Sequence, residues 1–344
     1  MNMRRHRGMG LVELMVWALV SMLIIGIIGI IYVNSKQVSR VNDTISRLQE
    51  NGRFAIHLID RDMRMAGFRG CNGFDVTPVS TLASGGYPYQ FNVAIAGYHG
   101  GGSSWSPPLD ASIAALTPAP SANADVVTIR QIYGQGVTLI APMASATGDL
   151  QVAAGSPLAA GDILLVADCS NAAIFNATSF DAGSGVIGHA TGGSAIPGNS
   201  TDDLQHVFST DASVYRLVTR TYYVGPSTRK PGTNALWVNA VPAYDGQAQP
   251  EEMVEGVDGV ALYFGEDTDG DRAANRYATA DGVGAWDKVV SVKAQVLLAS
   301  VRDGMTTSPQ PYTFPDTSSS ATTPGDRRLR SVLSSVITLR NRVP

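Results

Sequence analysis

Charge is scarce in this chain: Asp, Glu, Lys and Arg make up only 16% of its 344 residues. The 25 basic and 29 acidic side chains leave a formal net charge of −4. A surface that displaces counterions from a phosphate backbone needs a basic patch, so no nucleic-acid partner is expected. Cysteine is scarcer still, with Cys71 and Cys169 as the two examples. They form no Cys-x-x-Cys pair, which removes a dithiol redox site. The five histidines, His6, His57, His99, His189 and His206, fall at no metal-ligand spacing. There is no Gly-x-Ser-x-Gly elbow to raise a nucleophilic serine. Glu251 and Glu252 are adjacent acids, but acidic surface loops are far commoner than acid–base pairs, and no enzyme is expected. What the chain has in quantity is glycine, at 36 residues, which suits a loop-rich extracellular β protein better than a helical enzyme.

The N-terminus breaks this pattern. Arg4, Arg5 and Arg7 precede Gly8, a single carboxylate follows at Glu13, and Leu14 to Val33 then contain no formal charge. At about 1.5 Å per helical residue, such a run just crosses a hydrocarbon core of about 30 Å. The three arginines place the N-terminus in the cytoplasm and residues beyond about 34 outside. An acid at the mouth of an apolar span is costly and marks a functional position. A secretory signal would have a shorter apolar region and a small-x-small site, whereas this run ends in Asn34-Ser35-Lys36-Gln37. A plain anchor would not need Glu13. Outside the membrane a lone cysteine pair most often forms one disulfide. Closing a loop of 98 positions is worth about 4–5 kcal/mol in the chain-entropy model. Two buried free thiols are the other reading.

The segment Arg7-Gly8-Met9-Gly10-Leu11-Val12-Glu13 resembles the class III signal of type IV prepilins and pseudopilins. The resemblance implies that a prepilin peptidase cuts after Gly8, that Met9 becomes the methylated N-terminus, and that Glu13 is the family's fifth-position glutamate. The family usually has Phe where Met9 stands. Removing the leader with its three arginines takes the net charge from −4 to about −7. The physical role of Glu13 follows from burial. In a filament core a carboxylate needs a cation, and a neighbouring subunit's N-terminal ammonium provides one.

Beyond the apolar run, Val38, Val41, Ile45, Leu48, Gly52, Ala55 and Ile59 recur at steps of three and four. Lys36, Arg40, Asp43, Arg47, Glu50 and Arg53 lie between them. The spacing predicts one continuous helix through Met63 and Ala66, stopping at Gly67. After Gly70 the character turns to β. Strands are expected within Asp125–Tyr133, Asp162–Asp168, Ser213–Val224, Ala235–Asn239, Gly259–Phe264, Val289–Leu298 and Val332–Leu339, all β-branched and bounded by turn residues. Gly97–Asn123 and Arg302–Asp326 read as loops. Gly183-Ser-Gly185-Val-Ile-Gly188 fits G-x-G-x-x-G literally, but with no convincing strand before it and no helix after it, it reads as a glycine-rich loop. Tyr222, Tyr223, Trp237, Tyr263, Phe264 and Trp286 are expected mostly in the core or in cross-strand pairs. The fold class is therefore α+β. Residues 1–8 form the leader, 9–33 the membrane-spanning or filament-core half of a long helix, 34–67 its amphipathic half, and 68–344 a periplasmic β-rich head.

A second resemblance narrows the branch. Arg61-Asp-Met-Arg-Met-Ala-Gly-Phe-Arg-Gly-Cys71, Ala167-Asp168-Cys169, the stretch Val254–Gly265, Asp326-Arg-Arg-Leu-Arg330 and Leu339-Arg-Asn-Arg342, in that order, are similar to PilW-type minor pilins. The implied role is to help start type IV pilus assembly near the tip. The implied partners are other minor pilins, the major pilin, the prepilin peptidase, the inner-membrane assembly platform and a tip adhesin. The implied location is a single pass in the inner membrane with a periplasmic head, then the pilus at the cell surface. A minor pseudopilin of type II secretion shares the N-terminal signal and is the nearest rival, followed by a pilus-associated adhesin.

One stretch carries candidate metal chemistry. Asp267, Asp269, Asp271 and Asn275 offer oxygens at positions 1, 3, 5 and 9 of a calcium loop. Arg272 stands where an EF-hand wants Gly, and Ala278 where it wants a bidentate Glu. The other reading is an acidic turn that uses Asp and Gly for backbone geometry. Ca2+ is the one cofactor in view.

Overall fold

The computed structural model describes residues 10–71, 76–193, 197–244, 250–317 and 320–342. Gly8 and Met9 lie outside the described residues. The chain opens with one helix, α1 (Leu11–Met65), of 55 residues. At the standard rise this is about 80 Å long. The helix stops where Gly67 takes φ +68°, a conformation a side chain would oppose. The Gly67 amide turns away to donate to the Arg130 carbonyl at 3.0 Å. Two carbonyls at the end of α1 are met from the far end of the chain, where the Asn341 side chain donates to Arg64 (3.2 Å) and Ala66 (3.1 Å).

The first twelve strands make one twisted network. These are β1 (Val79–Ser80), β2 (Ile95–Gly100), β3 (Trp105–Ser106), β4 (Val126–Ala141), β5 (Leu150–Val152) and β6 (Ile163–Ala167). β7 (Ala172–Asn176), β8 (Ser179–Asp181), β9 (Val186–Gly188), β10 (Ser213–Pro226), β11 (Asn234–Val241) and β12 (Glu251–Glu255) complete it. Its spine is β10. One edge of β10 runs along β4, while the other pairs first with β6 and then with β11. The last four strands form a separate antiparallel sheet in the order β14-β13-β15-β16. They are β13 (Val257–Glu266), β14 (Arg276–Ala278), β15 (Val289–Ala299) and β16 (Arg330–Thr338).

The four-stranded sheet carries α1. Leu48, Ala55, Leu58, Ile59 and Met63 of the helix share a core with Phe264, Val292, Val296, Leu298 and Ile337. The closest approach is at Gly52, where an added Cβ would lie 2.5 Å from Leu298 Cδ1. A second core, around Leu150, Leu164, Phe175, Phe208 and Val214, lies within the large sheet.

All seven expected strands are present. The expected loop at Gly97–Asn123 is corrected at its start: β2 runs through to Gly100, and β3 and a short helix, α2 (Ala111–Ala114), follow within it. Gly97 is in a strand because the Phe264 ring fills the place of its side chain, 2.6 Å from where a Cβ would stand. The Gly183–Gly188 stretch is corrected too. β8 precedes it and its last three residues are β9, so it is the turn and return strand of a hairpin. The heptad-like seam also meets the head later than its sequence start suggests. Val38 is 59% exposed and Ile45 37%, and burial begins only at Leu48, because no sheet lies beneath the helix before that point.

Candidate functional site

The N-terminal half of α1 is an apolar surface with no cover in its own chain. Large side chains from Leu11 to Val33 stand exposed, Ile25 and Leu11 at 70% and 79%. It is the one described helix long and apolar enough to cross a membrane, and so a candidate membrane anchor. Glu13 lies in the first turn of this segment. A carboxylate there complements the positive end of the helix dipole. Among the described residues it makes no side-chain hydrogen bond or ion pair.

Holding that helix is the task of its other end. Asp62 is on the apolar stripe, three residues after Ile59, and is 2% exposed. Its Oδ2 accepts from Arg220 Nη1 at 2.8 Å and from the Tyr222 hydroxyl at 2.5 Å, both on β10. Arg61 Nε reaches Oδ1 at 3.2 Å. Burial pushes the Asp62 carboxyl up, but the Arg220 charge and the hydrogen bonds from Tyr222 and Arg220 outweigh it and hold the group below its ordinary range. An acid on the buried stripe of an amphipathic helix is the sequence signal that points to such a lock.

A covalent tie follows a few residues later. Cys71 and Cys169 form a disulfide with Cα atoms 4.9 Å apart, joining the exit of α1 to the end of β6. Beside it, Asp168 accepts from the Ser170 and Asn171 amides at 2.7 and 2.6 Å and from His206 Nε2 at 2.9 Å. Of the two readings open for the cysteines, the disulfide is the one present.

The acidic stretch after β13 is a turn whose oxygens are largely engaged. Asp267, Asp269 and Asp271 bring carboxylate oxygens within 4.8 Å of one another. Asp267 accepts from the Gly270 and Arg272 amides at 2.6 and 2.8 Å. Asn275 Oδ1 accepts from the Thr268 amide at 2.7 Å, and Asn275 Nδ2 donates to Asp269 at 3.1 Å. These bonds account for the Asp and Asn residues as turn formers. Glu252, the other acid singled out, takes the Ser227 and Thr228 hydroxyls and the Thr228 and Arg229 amides at 2.6–3.2 Å, which ties down the β10–β11 turn.

The C-terminal motifs converge on the same architecture. Arg330 at the head of β16 grips Asp326 through two hydrogen bonds of 2.6 and 2.9 Å, reaches Asp258 at 3.4 Å and lies over the Tyr312 ring. This pins the 302–326 loop against the four-stranded sheet. A family model described as PilW, Type IV Pilus-assembly protein W, matches residues 221–341. The match supports a PilW-type pilus protein. No curated protein and no solved structure matches the chain. The PilW-matched region begins in β10 at the residue before Tyr222 and takes in β11 through β16. It therefore contains the sheet on which α1 lies, the Arg330 cluster and the Asn341 cap, and it points to a part in type IV pilus assembly. Both cysteines, Asp62 and most of the large sheet fall outside it.

Proposed function

We propose that this chain is a minor pilin that takes part in initiating type IV pilus assembly within a tip-associated complex of minor pilins. The observation that carries the reading is a helix of which one half is fixed to the PilW-matched sheet while the other, from Leu11 to Val33, stays apolar and exposed. In this reading the prepilin peptidase cuts after Gly8 and Met9 is methylated. The exposed half of α1 keeps the subunit in the inner membrane until the assembly platform moves it into the filament. There Glu13 meets the N-terminal ammonium of a neighbouring subunit, and apolar helix packing replaces lipid. No step requires catalysis by this chain, and calcium has no assigned part in it. In-frame deletion, with sheared surface pilin and type II secreted protein measured in the same cells, tests the role. Loss of pili with secretion intact is the expected result. Lost secretion with normal pili would make the chain a minor pseudopilin, and no change in either would favour a dispensable pilus-associated adhesin.

A further inference from the structure

The two sheets end in different kinds of edge. Among the described residues β12 pairs only with β11; it is short and carries Glu251 and Glu255. Charges of that kind are how native edges avoid pairing with another chain. Among the described residues β16 pairs only with β15, yet it is nine residues long, about 30 Å at strand rise. Its first residue is Arg330, whose amide donates to Gln310 Oε1 at 3.4 Å, and from Ser331 to Thr338 it holds no charged residue, no proline and no glycine. One face is used: Leu333 and Ile337 pack in the core under α1. The other presents Val332 (37% exposed) and Val336 (58%), with Ser334 and Thr338 exposed between and beyond them. A long, uncharged, β-branched edge is a template for strand addition.

Its ends say which strand fits. Arg327 lies just before β16 and Arg340 just after it, both exposed, and neither makes an ion pair among the described residues. Asp326 is already engaged by Arg330. A second copy laid antiparallel would bring the exposed Arg340 of one chain beside the exposed Arg327 of the other, and like charges opposed across a strand pair repel. A partner with acids at these places would be steered in by the same charges. We propose that β16 is a docking edge for a β-strand of a different protein: an extended, β-branched segment flanked by acidic residues at both ends. The strand would extend the four-stranded sheet alongside α1, with its backbone supplying affinity and the arginines setting register.

The test places a photo-reactive phenylalanine analogue at Ser334 in the full chain, expressed in its own cells, with the same probe at exposed Tyr277 of β14 as control. The expected result is a light-dependent adduct at Ser334 whose cross-linked peptide is an extended segment bounded by Asp or Glu. Arg340→Glu should lower its yield by at least about fivefold. Val336→Lys should lower it as well. Both sites are exposed, so each variant should retain the wild-type melting temperature. An adduct to β16 of a second copy, to a helical segment or to a segment without acidic flanks would overturn the proposal, as would a yield no higher than at Tyr277. The docking edge and the pilus role separate cleanly. An acid-flanked strand from a protein outside the pilus machinery keeps the first and counts against the second. Pili lost on deletion with no adduct at Ser334 does the reverse.

Discussion

In Asp62→Ala, the Tyr222 hydroxyl and the Arg220 guanidinium lose the carboxylate oxygen they share. Tyr222 is 3% exposed, so its hydroxyl finds no water in exchange, a loss of about 1–3 kcal/mol. The Arg220 side chain is 21% exposed, and removing one partner of a largely buried pair costs about 3–5 kcal/mol in all. Arg61, at 55% exposure, adds little. Asp62→Asn keeps an acceptor oxygen but no charge, and should cost about 2 kcal/mol. In a double-mutant cycle with Tyr222→Phe, the double variant should be less damaged than the sum of the singles by about 1–2 kcal/mol. The sign of the pH dependence is set by the depressed carboxyl. The folded state binds fewer protons than the unfolded one just below the ordinary value of 3.8, so the stabilisation is complete above that value and is lost as pH falls through the lower folded value. Urea unfolding of the full chain in detergent, followed by near-UV circular dichroism, reads both effects. A loss below about 1 kcal/mol for Asp62→Ala, or a gap between wild type and Asp62→Asn that does not shrink below pH 3.8, would refute the account of a charge lock between helix and sheet.

Cys71→Ser should lower stability by about 4 kcal/mol if the 98-residue loop acts through unfolded-chain entropy. Dithiothreitol should lower the melting temperature of the wild type toward that of the variant and leave the variant unmoved. Glu13→Ala should leave the protein in the membrane fraction but absent from sheared pili, and normal incorporation would count against the ammonium pairing. Gly8→Ala should give a longer, uncut precursor on an immunoblot, and a product of mature size would remove Gly8 as the residue before the cut.

The parts of the fold that obey one period along the chain were readable from it. α1 repeats its burial at helical spacing from Leu48 onward, β16 alternates, and β6 and β15 are continuous β-branched runs buried on both faces and bounded by turn residues. What escaped was set by contacts between distant segments. Gly97 looks like a loop residue until the Phe264 ring is known to lie over it. The first part of the helical seam, Val38 to Ile45, has the same spacing as the part after Leu48, and only the reach of the sheet divides exposed from buried. The same limit applies to the candidate site. Glu13 and the cysteines stand out by rarity, whereas Asp62 needed its partners on β10, 158 and 160 positions away, before its role could be seen. Residues 254–265, 326–330 and 339–342 were legible as motifs, but why they matter is visible only where Arg330 joins Asp258 to Asp326 and Asn341 closes the end of α1.

Under the proposed minor-pilin role, the exposed half of α1 explains why a single carboxylate would decide where the subunit resides. Side chains such as Leu19, Ile25 and Ile31 are 61–70% exposed, and each is worth about 1.5–3 kcal/mol when removed from water. Water is therefore excluded as a resting environment. Lipid tails and the side chains of packed helices are almost equally apolar, so these residues scarcely distinguish a bilayer from a filament core. Glu13 does distinguish them. In hydrocarbon its charge is unpaired and costs several kcal/mol, or is lost to protonation; beside an ammonium in a helix bundle the charge is matched. In that role the apolar residues would hold the subunit out of water, and the difference in free energy between its two covers would fall mainly on one side chain. That is the reason Glu13→Ala should separate membrane insertion from filament entry, where substitution of a neighbouring leucine by isoleucine should change neither.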